Sequence, residues 1–270
     1  MKWKCLILIL VGLIFSTEVS AELKEVTLAT LEYEPYVGSK MPNYGFATEI
    51  IVEAFKKAGY KVNIEFYPWD KGLEITKEGR VDGIYPAYYA KWREEHYAFS
   101  DPFASEPVGL CKIKSTSIVP GQSGFRYKTG HDISFSTDPR IDQTAALREL
   151  KQYKFGVVAG YVTTPEFDAA TFLTKVEAPT DEENVRQLFQ DKVQLIVIGK
   201  YVAQNIVAKK FPWRLADLEF MEPPLEIKYL YIAFSKQASG FEKKLKDFNA
   251  GLKLIKEDGI LERIMSRYGF

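Results

Sequence analysis

This sequence of 270 residues has little cysteine and little histidine, two of each, and its formal net charge is zero. Because the charge balances and no basic block stands out, nucleic acid is not an expected partner. The histidines, His96 and His131, are 35 positions apart and neither belongs to a cluster with metal-ligand spacing, so no metal site is predicted. A P-loop, a G-x-G-x-x-G motif and an H-E-x-x-H motif are also missing. We therefore expect no cofactor and no catalytic residue.

Long apolar runs are missing too. The apolar stretch at residues 5–15 has eleven residues, whereas a transmembrane helix needs about 20. Lys2 and Lys4 precede it and Val19-Ser20-Ala21 follows it, which is the pattern of a secretory signal peptide. We expect export and cleavage after Ala21; a retained N-terminal anchor is the alternative.

Removal of residues 1–21 takes away two lysines and Glu18, leaving 34 basic and 35 acidic residues in 249 and a net charge of −1. Cys111 then remains as the single cysteine, so no intramolecular disulfide is expected, although an exported protein's compartment would allow one. Stability has to come from core burial, for which a chain of this length with 46% apolar residues is sufficient.

Strand-like and helix-like segments alternate along the rest of the chain. In the first half the periodicity predicts strands at 26–30, 62–66 and 83–87, and helices at 46–58 and 69–77. In the second half it predicts strands at 154–159, 175–178, 195–198 and 218–221. It also predicts three helices: one at 165–173, one that begins at a capping box formed by Thr180 and Glu183, and one at 201–209. Two apolar helical stripes follow at 241–255 and 260–265. The alternation predicts two α/β lobes with largely parallel sheets and a ligand cleft at the strand ends.

An aromatic band punctuated by proline surrounds one arginine. Its segments follow predicted strand ends, and six aromatic residues lie within the 26 positions from Tyr67 to Trp92, just before Arg93. Aromatic residues usually fill cores, but their place at strand ends favours a role in binding. The aromatic candidates of the first lobe are Tyr33, Tyr36, Trp69, Tyr85 and Tyr88.

The order of these motifs resembles the bacterial extracellular solute-binding proteins of family 3, the periplasmic receptors of amino-acid ABC importers. The most specific match is Arg93 placed six residues before Phe99-Ser100-Asp101-Pro102-Phe103. Weaker matches are Tyr33-x-Pro35-Tyr36, Gly45-Phe46, Trp69, Gly79-x-x-Asp82, residues 154–160 and residues 257–264. The resemblance implies a type II periplasmic binding protein fold and a monomer in the periplasm. It also implies capture of a small carboxylate-bearing solute for an ABC permease of the inner membrane.

The resemblance also assigns roles to particular residues. Arg93 would clamp the ligand's carboxylate through two parallel hydrogen bonds; a solvated charge at a helix start is the other interpretation. Trp69 and Tyr33 would stack on the ligand's side chain. In the second lobe Tyr161 and Thr163 would hold the carboxylate, while Thr164 is equally consistent with a plain helix N-cap.

Two departures from the family pattern bear on the ligand. Tyr88, Tyr89 and Ala90 stand where Ser or Thr usually contacts it, and the acid that usually holds the α-ammonium falls near Gly199-Lys200. If Lys200 joins Arg93 in the site, a ligand with excess negative charge is favoured. The alternatives are that Glu32 or an aromatic cage receives the ammonium, and that Lys200 is a solvated lysine.

By the same resemblance, the chain would cross between the lobes at hinges 105–108 and 222–229. Residues 22–104 and 230–270 would form one lobe and residues 109–221 the other. Two further functions stay open. The first is a cyclohexadienyl or arogenate dehydratase-like enzyme, which would use an acid such as Glu32, Glu34 or Asp70. The second is a solute sensor that reports to a membrane receptor.

Overall fold

The computed structural model describes residues 24–118 and 143–270. The expected signal peptide and His131 lie outside these residues. The strands are β1 (Lys24–Thr30), β2 (Tyr60–Phe66), β3 (Gly83–Ala87), β4 (Tyr97–Phe99), β5 (Ala104–Ile113), β6 (Lys154–Val158), β7 (Thr174–Ala178), β8 (Leu195–Gly199), β9 (Leu218–Phe220) and β10 (Glu226–Ser235). The helices are α1 (Phe46–Lys57), α2 (Trp69–Lys77), α3 (Gln143–Glu149), α4 (Pro165–Asp168), α5 (Asp181–Phe189), α6 (Lys200–Lys210), α7 (Phe241–Glu257) and α8 (Ile260–Arg267).

In the first lobe, β1 is the central parallel strand. It pairs with β2 from Lys24↔Tyr60 to Thr30↔Phe66 and with β3 on its other side. Every residue of β3 is buried, as expected of a parallel strand covered on both faces. Helix α1 ends as predicted before Gly59, which takes a positive φ of 78° that glycine adopts without steric cost.

The second lobe repeats this arrangement. Strand β6 runs parallel to both β7 and β8, and β8 pairs antiparallel with β5. All of β8, a continuous apolar run that ends in glycine, is buried. The predicted cap of α5 is confirmed, because the Thr180 hydroxyl accepts a hydrogen bond from the Glu183 amide at 3.2 Å.

Two long strands carry the chain between the lobes. Strands β5 and β10 pair antiparallel from Glu226↔Val108 to Leu230↔Ala104. Beyond that stretch β10 continues beside β3, whereas β5 continues beside β8. The segments predicted as hinges lie in or beside this shared stretch, and the lobe bounds remain a prediction.

The tail returns to the first lobe, where α7 packs against α1. Phe248 of α7 is fully buried, with its ring centroid 5.2 Å from that of Phe55 on α1. Gly251 brings the two helices close together, because a Cβ at this position would collide with the backbone carbonyl of Ala54. Within residues 24–118 and 143–270, no helix is both long and apolar enough to cross a membrane.

Candidate functional site

A cavity lies between the two lobes, at the ends of their strands. Five predicted site residues line it, together with four apolar neighbours. The lining comprises Leu31, Tyr33, Trp69, Pro86, Tyr88, Arg93, Tyr161, Val162 and Leu230. Tyr161 and Val162 come from the turn after β6, and the other residues come from the first lobe and from β10. Both lobes therefore contribute to one mostly aromatic and aliphatic pocket with a single arginine.

Arg93 lies in a short 3₁₀ helix, Lys91–Glu95, and is only 1% exposed. It is therefore not a solvated surface charge. Its Nη1 donates to the Tyr88 carbonyl at 2.9 Å, and its Nη2 donates to the Gly160 carbonyl at 3.0 Å. The buried Nε has no hydrogen-bond partner. Because a guanidinium carries five N–H donors in a planar fork, donors remain for a carboxylate that enters the cavity.

Arg93 stays positively charged, and its neighbours compensate that charge only in part. The guanidinium carbon lies 5.6 Å from the Trp69 ring and 5.2 Å from the Trp92 ring, so both indoles contribute cation–π attraction. Burial lowers the pKa of Arg93 to about 10, which still leaves it positive at neutral pH. In the described part of the chain, no carboxylate forms an ion pair with it. A ligand carboxylate would supply the missing negative charge.

The turn after β6 joins the lobes at the same point. Gly160 has a φ of 75°, a conformation that side-chain-bearing residues rarely adopt. Its carbonyl accepts from Arg93 and from Trp69 Nε1, the latter at 3.3 Å. The two lobes thus meet through donors of the first lobe and a backbone oxygen of the second.

Three tyrosines that line the cavity donate hydrogen bonds to two buried carboxylates. Glu106 of β5 is fully buried and accepts hydrogen bonds from Tyr33 at 2.6 Å and Tyr88 at 2.5 Å. The Tyr161 hydroxyl donates to Asp181 at 2.8 Å. Burial raises the pKa of Glu106 to about 7 and that of Asp181 to about 6. Three tyrosines that line the cavity are therefore backed by two carboxylates.

Sequence reasoning missed both carboxylates. Glu106 falls in the segment interpreted as a hinge, and Asp181 follows Thr180 and reads as an ordinary first-turn acid of α5. The available signal was an acid in the first half of strand β5, which also carries Ser105 and Lys112. It did not indicate which side chains that residue would meet.

The remaining predicted site residues do not line the cavity. Tyr36 and Tyr85 are buried, and the Tyr85 hydroxyl bonds to that of Thr48 at 2.8 Å. The Thr163 amide donates to Asp168, and Thr164 caps α4 by accepting from Phe167 at 3.1 Å. The Lys200 ammonium pairs with Glu222 at 2.6 Å.

The acids considered for dehydratase chemistry also lie off the cavity wall. Glu32 is exposed and accepts from the Ser39 amide, Glu34 pairs with Lys209, and Asp70 is exposed at the start of α2. Across the two described ranges, no group of three or more His, Cys, Asp or Glu residues could hold a metal ion. Cys111 is buried, and burial raises the pKa of its thiol well above the usual range.

The sequence profile of the bacterial extracellular solute-binding proteins, family 3, matches residues 26–270. No curated protein sequence matches the chain.

Several solved structures have the same fold. An ancestral arginine-binding protein bound to arginine superposes with a TM-score of 0.70 at 19% identity, covering 92% of this chain and 100% of that one. A histidine kinase sensor domain with similarity to periplasmic binding proteins gives 0.71 at 16% identity, with 91% and 96% covered. An amino-acid ABC transporter substrate-binding protein from Streptococcus pneumoniae, bound to L-arginine, gives 0.67 at 17% identity, with 90% and 94% covered. The fold is that of the type II periplasmic binding proteins.

Proposed function

The chain belongs to the bacterial extracellular solute-binding proteins, family 3, and on that premise we propose that it captures an amino acid between its lobes for delivery to an ABC permease. The observation that carries the proposal is the buried guanidinium of Arg93, which lines the interlobe cavity with its Nε unpartnered. A carboxylate is the ligand group whose planar geometry and charge suit such a fork.

The rest of the lining supports a small organic ligand. Trp69, Tyr33 and Tyr161 present aromatic surface, and Leu31 and Leu230 present aliphatic surface. An apolar pocket with a few convergent polar groups is the usual form of a small-molecule site. The carboxylate would thus be fixed by Arg93, and the ligand's carbon skeleton would be buried against the rings.

Closure of the lobes is the proposed signal to the permease. Strands β5 and β10 would act as the double hinge, since they connect the lobes and pair with each other there. A ligand that contacts Arg93 from the first lobe and Tyr161 from the second stabilises the closed form by its greater affinity for that form. The protein would act as a periplasmic monomer after removal of the signal peptide.

Thermal denaturation with each of the twenty L-amino acids and a set of dicarboxylates, followed by titration calorimetry of the best binder, tests the proposal. A ligand present at 100 times its Kd stabilises the folded state by about 2.7 kcal/mol, which a melting curve resolves. Absence of binding across the amino acids would overturn the proposal. Turnover of prephenate or arogenate would replace it with the dehydratase function.

A sensory role is the second candidate, because the fold is shared with a histidine kinase sensor domain at a TM-score of 0.71. Ligand capture would be the same in both cases, and only the membrane partner would differ. Genes for a permease and an ATPase beside this one favour transport, and a neighbouring sensor-kinase gene favours signalling.

A further inference from the structure

Three oxygens at the hinge form a closed triangle of short contacts. Tyr33 Oη lies 2.6 Å from Glu106 Oε1, Tyr88 Oη lies 2.5 Å from the same oxygen, and the two hydroxyl oxygens are 2.9 Å apart. Each contact requires one proton. The two tyrosines supply two protons, so an ionised Glu106 leaves one contact without a hydrogen. A protonated Glu106 supplies the third and satisfies all three.

The charges around Glu106 also favour its protonated form. The groups that face it are Tyr33, Tyr36, Tyr88, Tyr161 and Asp181, and none of them is a cation. Lys228, the cross-strand neighbour of Glu106 on β10, is buried with its Nζ 5.7 Å from the centroid of the Tyr88 ring, but its ion pair is with Glu226. Lys200 of α6 pairs with Glu222. The pKa of Glu106 is raised to about 7, with burial as the largest cause. Among the described residues, Glu106 is thus a buried acid that forms no ion pair.

The second oxygen of the Glu106 carboxyl group, Oε2, has no hydrogen bond that would fix the protonation state of the group. It is fully buried. The Tyr36 hydroxyl lies near the carboxylate but outside hydrogen-bond geometry, and it too is buried and unpartnered. Gly199 leaves room for the group, because a Cβ there would collide with Glu106 Oε2. The acid from β5 therefore occupies the space that a side chain at the end of β8 would fill.

We propose that Glu106 makes the site selective for a zwitterion, because the ligand's ammonium group replaces the proton that Glu106 holds in the ligand-free protein. The O–H bond of the carboxylic acid breaks, its electron pair stays on Oε1, and the proton leaves to solvent. The proposal rests on the proposed function, since it assumes that Arg93 binds the carboxylate of the same solute.

The tyrosines connect the negative charge of Glu106 to the cavity through their hydrogen bonds. Once Glu106 is ionised, Tyr33 and Tyr88 both donate to it, and Tyr161 donates to Asp181. Their hydroxyl oxygens then have lone pairs free for the cavity that these residues line. An ammonium group carries three donors and no acceptor, which suits these three oxygens. Glu106 is thus a positioning residue that acts through Tyr33 and Tyr88.

Calorimetry of the full exported chain between pH 5 and 8 tests the proposal. The probes are the tightest-binding L-amino acid and its 2-hydroxy acid, which has the same skeleton without the ammonium group. Below the pKa of Glu106 binding has to expel a proton, so we expect the amino acid's affinity to fall on the order of 100-fold from pH 8 to pH 5. Titrations near pH 6 in two buffers of different ionisation enthalpy should show proton release.

The variants are Glu106→Gln, which keeps acceptors for both tyrosines but cannot ionise, and Asp181→Asn, which removes the second carboxylate and so tests whether Asp181 is the source of the proton. We expect E106Q to bind the amino acid weakly and with little pH dependence. D181N loses the smaller contribution of the carboxylate behind Tyr161, so it should bind somewhat more weakly but keep most of the pH dependence. Unchanged affinity and pH dependence in E106Q, or equal binding of the hydroxy acid by the wild-type protein, would overturn the proposal and leave the proposed function standing.

Two other outcomes are also decisive. If no amino acid binds the wild-type protein, the proposed function fails, and this inference fails with it. If E106Q does not fold, proton release by the wild-type protein and by D181N decides: release from both supports Glu106 as the source, and its absence from the wild-type protein refutes it.

Discussion

Replacement of Arg93 by methionine is the sharpest test of where the ligand's carboxylate binds. Methionine keeps much of the buried volume and removes the fork of donors. In the ligand-free protein Nε has no partner, so a bond from it to a carboxylate is a net gain of about 1.5–3 kcal/mol. Nη2 already donates to the Gly160 carbonyl, so exchanging that acceptor for a carboxylate gains only about 1 kcal/mol.

These contributions add up to roughly 2.5–4 kcal/mol, or a 10²- to 10³-fold loss of affinity in Arg93→Met. The effect on stability should be smaller. The variant leaves the Tyr88 carbonyl without its Arg93 donor and the Gly160 carbonyl with only Trp69, but it also removes a buried charge whose desolvation was unfavourable. Titration calorimetry with the best amino-acid ligand measures the first effect, and urea denaturation measures the second.

Arg80→Met is the matched control. Arg80 is an exposed arginine of the same lobe, paired with Glu78 at 2.8 Å, and its replacement should leave affinity unchanged. Arg93→Lys retains the charge but not the planar fork, and it should fall between the wild type and Arg93→Met. A folded Arg93→Met protein with wild-type affinity would refute a carboxylate site at Arg93.

Three further predictions concern the cleft and the first-lobe core. Trp69→Phe keeps an aromatic ring but loses the donor to the Gly160 carbonyl, so affinity measured by calorimetry should fall about fivefold; an unchanged Kd would show that this bond does not assist closure. Phe248→Ala should lower the free energy of unfolding by about 3–5 kcal/mol in urea, whereas Leu254→Ala, on the exposed face of the same helix, should cost under about 1 kcal/mol. Gly251→Ala should destabilise by about 1–3 kcal/mol despite alanine's better helix propensity, and a gain in stability would contradict the close contact with Ala54.

Sequence periodicity predicted the strands and helices whose buried residues form a regular pattern within one short segment of the sequence. Strand β8 is one uninterrupted apolar run, and α1 places its buried residues at helical spacing before Gly59. Strands β5 and β10 were not predicted, because their conformation is set by pairing with each other and then with different sheets. Glu106 and Lys228 sit opposite each other in that stretch and interrupt the apolar signal on which prediction relies.

The same distinction applies to the site. Tyr33, Trp69, Tyr88 and Arg93 each follow a predicted strand, where the rule for clefts places ligand contacts. The same rule also selected Tyr36 and Tyr85, which do not line the cavity, and the roles of Arg93, Trp69 and Tyr33 came from the family resemblance. Glu106 lies 73 positions from Tyr33, and no local pattern links the two. Lys200 was selected because it stands near the expected place of an acid, but its charge is directed to Glu222, which only the fold reveals.

Because the net charge of the protein is close to zero, selection of a charged solute depends on a few oppositely charged residues at the cavity. Arg93 lines the cavity itself, whereas Glu106 and Asp181 accept hydrogen bonds from tyrosines that line it. If the arginine contacted a carboxylate directly, the two charges would satisfy each other and neither would require a ligand. Tyrosine hydroxyls bind the carboxylates and backbone carbonyls bind Arg93. Within the described ranges, neither the arginine nor the carboxylates therefore form an ion pair with an oppositely charged protein group, and each can interact with a charged group of the ligand. A solute with a carboxylate alone completes only the Arg93 end and leaves Glu106 protonated, whereas a zwitterion completes both, so discrimination should depend on the ammonium group more than on total charge.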